Sequence, residues 1–260
     1  MSLRRVASGS GHRYELDGER VPGVTTIING GLPKPALIEW AARCSADLVL
    51  NEWDDLLDMT PSARHKAVLG ARWNVNRAAT ARGHEIHAVG AALASGHDVE
   101  VPDHIIGPAE SYAKWLDANA VAAMYVETPC ASRQWHYAGT FDLIARVAGE
   151  VWLLDIKSGA NLYPEMALQL AAYRACDIIV PEGEDETPMP YVERVGIAHV
   201  LPDAVELHPV DAGEQTLRTF LYVKQVHEWL AASKDDSPIE TPLRMNVEPL
   251  TRYRLVQVAS

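Results

Sequence analysis

Three charged residues stand inside two apolar runs that otherwise predict buried β-strands. Asp142 lies in the run GTFDLIARV, and Asp155 and Lys157 lie in the run VWLLDIKSG that follows it. Burying an unpaired charge costs several kcal/mol, which is comparable with the net stability of a whole domain. Two acids and a base placed in this way therefore indicate a chemical role.

A β-hairpin with its two-residue turn at 148–149 would bring these charges together. In that register the numbers of paired residues sum to 297, so Asp142 lies opposite Asp155. Cross-strand neighbours have Cβ atoms about 4.5–5.5 Å apart, and Lys157 shares the face of Asp155 because side chains alternate along a strand. Two carboxylates this close repel each other, and a divalent cation removes the repulsion.

The chemistry that fits these groups is the handling of a phosphate ester. Paired carboxylates suit Mg²⁺ or Mn²⁺ better than zinc. A protonated lysine is not a metal ligand, but it can hold a nucleophilic water or neutralise an anionic substrate. The alternative is a simple Asp–Lys salt bridge with one spare aspartate at a sheet edge.

The surrounding sequence predicts an α/β or α+β domain in which helices flank a central mixed sheet. Residues 1–260 are expected to form a single domain, with a helical N-terminal part at about 33–120, a sheet-rich part at about 121–232 and an irregular tail at 233–260. Strands or hairpins are predicted at 12–28, from 123, across the turn at 148–149 and at 193–211. Helices are predicted at 33–53, 105–120, 163–177 and 213–232, and as two helices within 62–96 that are separated near residues 82–83.

The net charge of -12 argues against a nucleic-acid partner, because phosphate binding usually leaves a basic footprint. Residues 61–90, however, carry five basic side chains and one acidic side chain, a local charge of +4. This basic segment is compatible with DNA, and Arg77 and Arg82 are predicted to contact it. A basic face that is merely solvated explains the same pattern equally well.

Cysteine usage and hydropathy predict a cytoplasmic protein with no membrane partner. The three cysteines are far apart and form no CxxC pair, which is typical of free thiols in a reducing compartment. An iron–sulfur cluster normally needs four thiolates, so none is expected. No segment approaches the ~18 apolar residues that cross a bilayer, and the N-terminus is not a secretory signal.

The motifs together resemble the PD-(D/E)XK nuclease superfamily. GTFD supplies a first acid at Asp142, and LLDIKSG supplies the (D/E)XK element at residues 155–157. Downstream, MALQLAAYR matches the QxxxY element of the RecB-like branch through Gln169 and Tyr173. Upstream, RGHEIHAVGAAL resembles the helix that contributes a metal-binding histidine, and His87 fits best. The segment GVTTIINGGLPKPALIEWAAR looks like phage-encoded members of this branch.

This resemblance implies a restriction-endonuclease-like core and a metal-dependent DNA nuclease, specifically an exonuclease of phage or bacterial recombination or repair. Mg²⁺ or Mn²⁺ would be held by His87, Asp142, Asp155 and the carbonyl of Ile156, and Lys157 would orient the attacking water. Gln169 would contact the substrate or the nucleophile, and Tyr173 would orient the site or pack. No P-loop is present, so any helicase or single-strand annealing protein would be a separate partner.

Several alternatives stay open at this point. The chain could be a DNA-binding or regulatory protein that keeps the fold without turnover, or it could hydrolyse another phosphate ester. Glu127, on the strand before the hairpin, fits either an extra acidic ligand or a solvated strand residue. Trp40 is interpreted, with the other tryptophans, as a core or interface residue and not as a base-stacking one.

Overall fold

The computed structural model describes residues 2–8 and 11–240, apart from the side chains of residues 76, 78 and 79. The strands are β1 (Leu3–Ser8), β2 (Gly11–Leu16), β3 (Glu19–Val21), β4 (Ala122–Ser132), β5 (Tyr137–Val147), β6 (Glu150–Lys157), β7 (Ile178–Ile179), β8 (Thr187–Pro188), β9 (Arg194–Val200) and β10 (Val205–Pro209). The α-helices are α1 (Val24–Gly31), α2 (Pro35–Asn51), α3 (Trp53–Asp58), α4 (Pro61–Ala94), α5 (Ile106–Ala118), α6 (Glu165–Arg174) and α7 (Glu214–Ala232).

The larger of two sheets has seven strands in the order β10-β9-β6-β5-β4-β7-β8. β6 and β9 run parallel, and the other neighbouring pairs are antiparallel. The chain passes from β6 to β9 through α6, as a parallel pair requires a crossover. The predicted central mixed sheet with flanking helices and a helical N-terminal part is therefore confirmed. No helix within the described residues combines the length and apolar character that a membrane crossing requires.

Both faces of the β5–β6 hairpin are buried, which explains its nearly continuous apolar sequence. Ile144 and Leu153 belong to a cluster formed with α1, α6 and α7. Leu154 and Ile156 belong to a second cluster on the opposite face, formed with α5 and the end of α4. A charged side chain in these strands consequently lies between two layers of apolar packing.

The hairpin register agrees with the sequence prediction over the length of its ladder. Pairs run from Val147 opposite Glu150 to Leu143 opposite Leu154, and each pair sums to 297. The turn residues have left-handed backbones, with φ of 48° at Ala148 and 94° at Gly149, as a two-residue turn of this kind needs. Asp142 and Asp155 come one position after the last pair of the ladder.

The predicted strand pair over 12–28 is correct only as far as residue 21. β2 and β3 form a hairpin around Asp17 and Gly18, and β1, which was not predicted, pairs with β2. The β-branched residues that follow form α1 instead of a strand, because Val24, Ile27 and Ile28 have helical spacing and bury one face in the core. Tertiary packing here overrides the weak local preference for a strand.

The predicted division of residues 62–96 into two helices is wrong. α4 is a single helix of 34 residues that runs through Gly83 without interruption, and Thr60 caps its start by accepting from the N–H of Ala63. A helical glycine costs only about 1 kcal/mol relative to alanine, which the neighbouring alanines and charged helix formers tolerate. The remaining predicted helices and the strand pair formed by β9 and β10 are confirmed. Residues 233–240 of the predicted irregular tail form turns, and 241–260 lie outside the described residues.

Gly83→Ala should stabilise the protein by about 0.5–1 kcal/mol, because alanine is the better helix former and nothing lies within 4 Å of a Cβ at this position. Urea unfolding of the variant and of the wild-type chain measures the difference. Gly149→Ala is the opposite control, since its φ of 94° disfavours any side chain. Loss of stability in Gly83→Ala would argue for a break in α4.

α1 packs against α7 through two glycines. A Cβ on Gly30 would collide with the imidazole of His227, and a Cβ on Gly31 would collide with the carbonyl oxygen of Val223. The backbones of the two helices therefore approach more closely than helices with side chains at these positions could. This contact fixes the position of α1 over the sheet.

Candidate active site

The site begins where the β5–β6 ladder ends. Asp142 Oδ2 accepts a hydrogen bond of 2.6 Å from the backbone N–H of Ile156, so a carboxylate replaces the main-chain partner that the ladder would have supplied. The two aspartates are therefore held next to each other, since this N–H belongs to the residue directly after Asp155. The sequence pattern had predicted both aspartates next to each other in this hairpin. The carbonyl of Ile156 remains a predicted ligand.

Glu127 approaches Asp142 from β4 through an unusual backbone conformation. The pairs on either side, Val126 with Leu143 and Thr128 with Phe141, place Glu127 opposite Asp142. Its φ of 45° is left-handed, which costs roughly 1–2 kcal/mol in a residue with a Cβ. Such strain is concentrated at functional sites, so this backbone supports a role for the Glu127 carboxylate.

His87 from α4 completes a group of three candidate metal ligands. Its Nδ1 lies 3.7 Å from Asp142 Oδ2 and 3.8 Å from Glu127 Oε1. One ligand atom from each of the three residues lies within 4.8 Å of the others. An imidazole and two carboxylates at this spacing can contract around one divalent ion. Of the predicted metal ligands, the structure therefore groups His87 and Asp142, and it adds Glu127.

Asp155 makes different contacts from Asp142. Its Oδ2 lies 2.6 Å from Lys157 Nζ, and its Oδ1 accepts from Gln169 Nε2 at 3.1 Å. Gln169 also lies 3.3 Å from the hydroxyl of Tyr173, one helical turn further along α6. The Asp–Lys pair that the sequence left open as an alternative is thus present, and it stands beside the three-ligand group. The side chains of Gln169 and Tyr173 both face the sheet, as their i, i+4 spacing predicts.

Gly139 on β5 makes room for Tyr173. A Cβ at this position would overlap the tyrosine ring, so only glycine lets the ring lie across the strand. The ring is buried, and its burial raises the pKa of the phenol well above its usual value. Tyr173 therefore acts as a neutral packing and hydrogen-bonding group that fixes Gln169.

Acidic groups outnumber basic ones in this cluster. Three carboxylates, from Glu127, Asp142 and Asp155, face a single permanent cation, Lys157. Only 2% of the Asp155 side chain and 12% of the Asp142 side chain is exposed, so water screens these two charges poorly, whereas the Glu127 side chain is 42% exposed. The cluster has a net charge of -2 when its three carboxylates are ionised and His87 is neutral, which one divalent cation would balance.

The pKa values follow this imbalance. Burial, and then repulsion from Asp155, raises the pKa of Asp142 to about 7 against the opposing effects of His87, Lys157 and the Ile156 N–H. Burial alone would lower the pKa values of His87 and Lys157, but the neighbouring carboxylates outweigh it and both pKa values are raised. The metal-free site thus retains protons near neutral pH, which a metal ion would displace.

We expect Mn²⁺ affinity to increase at least about tenfold per pH unit between pH 5 and 7. Asp142 and His87 must both lose their protons to bind a metal, and the pKa of each is raised. Calorimetric titrations in two buffers of different ionisation enthalpy would count the protons released. An affinity that does not change over this range would contradict the site.

A groove of about 730 Å³ leads away from the cluster. Lys157 and Gln169 line its inner end, and α1, the start of α2 and the segment before α6 form its walls. The walls also carry an ammonium group and two aromatic rings, from Lys34, Trp40 and Tyr163. Trp40 is half-buried and Tyr163 is 48% exposed, so parts of both rings remain available to a ligand.

Arg77 and Arg82 are exposed on α4, and the structure does not direct them toward His87. At about 100° per residue, Arg82 is turned about 140° and Arg77 about 80° from the face that carries His87. Of the other basic residues in this segment, Arg64 has a structural role, since it donates to the carbonyl oxygens of three residues at the end of α3. Arg64, Arg77 and Arg82 therefore do not form one basic face beside His87.

Sequence reasoning undervalued Glu127 and the groove residues. The only available signal for Glu127 was its place on a strand next to β5, because its backbone conformation cannot be read from the residue type. Trp40 was interpreted as a core or interface residue, and it lines the groove. Lys34 and Tyr163 reach the same groove from segments separated by more than 100 residues, which sequence patterning does not bring together.

Neither a comparison with models of known protein families nor a search of curated protein sequences finds a match to this chain.

Proposed function

We propose that this protein is a divalent-metal-dependent nuclease that hydrolyses phosphodiester bonds in DNA. The observation that carries the proposal is a cluster of three carboxylates, one histidine and one lysine, in which Asp142 and Asp155 are largely buried and Lys157 also lines an open groove. The excess negative charge of this cluster and the raised pKa of Asp142 support the binding of a cation. The fold and the PD-(D/E)XK-like motifs of the sequence support the same activity.

The donor set suits a hard divalent ion. Two carboxylates and one imidazole are present, and water can complete the coordination because the Glu127 side chain is 42% exposed, which is compatible with Mg²⁺ or Mn²⁺. His87, Glu127 and Asp142 would hold the ion, with Asp155 beside them. When bound, the metal supplies positive charge to the scissile phosphate and lowers the pKa of a coordinated water.

The protein's own groups would position the water and the phosphate. Lys157 lies at the boundary between the cluster and the groove, where its ammonium group can donate to a water or to a phosphate oxygen. Gln169 holds Asp155 and is itself held by Tyr173, so the carboxylate that orients Lys157 has a fixed position. Positioning of this kind accelerates a reaction because the reactive groups are already aligned before it starts.

The groove favours a nucleic-acid strand over a small phosphate ester. Aromatic rings stack on bases of any sequence, and Lys34 and Lys157 can meet the phosphates. The net charge of -12 does not oppose this, because the groove lining carries these two lysines against one acidic residue, Glu165. A single strand, or the frayed end of a duplex, exposes the bases that such rings require, so we propose an exonuclease that acts on DNA ends.

Linear and circular DNA incubated with the purified protein, with and without Mg²⁺ or Mn²⁺, test this proposal. Metal-dependent loss of linear DNA, with circular DNA intact, is the expected result. Retention of DNA without cleavage in either metal would favour the non-catalytic DNA-binding alternative. Inhibition by free nucleotides but not by DNA would favour hydrolysis of another phosphate ester.

Trp40→Ala and Tyr163→Ala should each weaken DNA binding about 10-fold, because stacking of one base contributes roughly 1–3 kcal/mol. The effect should be seen in the affinity for single-stranded oligonucleotides and in KM, while kcat changes less. Trp53→Ala is a matched control, since this tryptophan is also exposed but lies on α3, outside the groove. Equal losses in all three variants would show that the groove does not bind the strand.

A further inference from the structure

A second group of potential ligands lies on the outer strands of the large sheet. Glu206 pairs with His199 across the β9–β10 ladder, and His208 follows Glu206 by two residues on the same face. His199 is 7% exposed, whereas Glu206 and His208 are more than 40% exposed at their side chains. One ligand atom from each of the three residues lies within 4.8 Å of the others.

The hydrogen bonds of His199 leave one ring nitrogen available as a ligand. Its Nε2 lies 2.7 Å from the carbonyl oxygen of Gly159, which can only accept, so Nε2 carries the proton in the neutral ring. Nδ1 then has a lone pair, and it faces Glu206 Oε2 at 4.0 Å. Two acceptors that face each other without a shared proton repel, and a cation between them converts repulsion into attraction.

The distances suit a small, four-coordinate metal ion. Glu206 Oε2 accepts a hydrogen bond of 3.0 Å from His208 Nε2, whose proton a metal ion would replace, and it is 4.0 Å from His199 Nδ1. Ligands on a tetrahedral zinc are about 2.0–2.2 Å from the metal and hence roughly 3.3–3.6 Å from one another. Small side-chain movements would bring all three atoms to this spacing, and solvent can fill the fourth position because two of the ligands are exposed.

We propose that His199, Glu206 and His208 form a site for a transition-metal ion of the Zn²⁺ class. Two imidazoles and one carboxylate favour zinc or cobalt over Mg²⁺, which prefers oxygen ligands alone. The backbone carbonyl that fixes the His199 tautomer is the usual second contact of a metal-binding histidine. This site is separate from the carboxylate cluster and does not depend on nuclease activity.

A metal ion bound at this site would stabilise the segment that connects β6 to α6. His199 pairs with Lys157 in the parallel ladder, and its ring holds the carbonyl of Gly159, two residues further on. The same segment continues to Tyr163, which lines the groove. A bound ion would thus hold β9, β10 and this groove wall in one arrangement, which is a structural role and not a catalytic one.

Zinc binding should be measured on the full chain carrying Asp142→Asn, which removes a ligand from the carboxylate cluster. We expect this protein to bind one Zn²⁺ by calorimetry and dialysis, and Co²⁺ to give the intense visible absorption bands of a four-coordinate site. Adding His208→Ala or Glu206→Gln should weaken Zn²⁺ binding at least about 100-fold. Zn²⁺ should also raise the midpoint of thermal unfolding only where the three ligands are intact.

His104→Ala in the same background is the matched control. His104 also pairs with a glutamate, at 2.6 Å from Glu85, but no third ligand is grouped with them in the described part of the chain. Its removal should leave zinc binding unchanged. Because Glu206 and His208 are exposed, their variants test the site without disturbing the buried His199. Absence of bound zinc, or equal weakening by His104→Ala and His208→Ala, would overturn the proposal.

Discussion

Asp142→Asn should reduce the rate of metal-dependent DNA cleavage by about 1000-fold or more, while leaving the metal-free protein at least as stable as the wild type. The loss follows because the amide removes an anionic ligand from the candidate metal site, and the metal contributes several kcal/mol to the stabilisation of charge in the transition state. The amide oxygen can still accept from the Ile156 N–H, so the local backbone is preserved.

The gain in stability follows from the raised pKa of Asp142. A folded-state pKa of about 7 means that the folded protein binds more protons than the unfolded chain between about pH 3.8 and pH 7. The stabilisation from this protonation is complete below pH 3.8 and disappears as pH rises through 7. At pH 8 the metal-free wild type therefore carries an unfavourable buried charge, and the asparagine variant should be more stable by about 1–3 kcal/mol.

Urea unfolding at pH 5 and pH 8 in the presence of a chelator measures this effect, and a gel assay with Mn²⁺ measures cleavage. Asp203→Asn makes the same chemical change in the exposed turn between β9 and β10 and should alter neither property. Wild-type cleavage by Asp142→Asn would remove the basis for the metal site. A fall in stability at pH 8 would show that the Asp142 carboxylate is already balanced without a metal.

Lys157→Met should reduce cleavage by about 1000-fold and destabilise the metal-free protein by about 2–4 kcal/mol. Methionine keeps much of the apolar stem but removes the only permanent cation of the cluster, which leaves Asp155 buried and without its ion-pair partner. The lysine side chain is 25% exposed, so the loss should be smaller than for a fully buried pair. Loss of the donor that positions water or phosphate accounts for the kinetic effect.

The double variant Asp155→Asn/Lys157→Met separates the two effects. It should recover most of the lost stability, because no unpaired charge remains, but it should recover no cleavage. Mn²⁺ should partly restore the stability of Lys157→Met, since the added cation offsets the charge of Asp155. If Lys157→Met alone unfolds at the same urea concentration as the wild type, Lys157 does not balance the charge of Asp155 in the folded protein.

The sequence predicted the hairpin and its acids because both depend on local rules. Side-chain alternation and a two-residue turn are enough to place Asp142 next to Asp155, and helical spacing is enough to align Gln169 with Tyr173. These rules act over a few residues. The structure follows them in the hairpin ladder as far as the Leu143–Leu154 pair, directly before the two aspartates, and along α6.

Features that depend on distant contacts were not predictable in the same way. The segment that forms α1 has a strand-like composition and becomes helical because α6 and α7 cover its apolar face. α4 continues through Gly83, although the glycine itself had predicted a boundary between two helices at this position. Glu127 joins the cluster through a left-handed backbone, and the groove exists only after three separate segments have packed together.

The close packing of α1 on α7 has a consequence for the timing of activity during protein synthesis. Gly30 and His227 are about 200 residues apart in the chain, yet their contact fixes one wall of the groove. At a translation rate of about 5–20 residues per second, a ribosome needs roughly 10–40 s to pass from the first of these residues to the second. A nascent chain during that interval lacks a finished DNA channel, so the cleavage that we propose would begin only after α7 has emerged and docked.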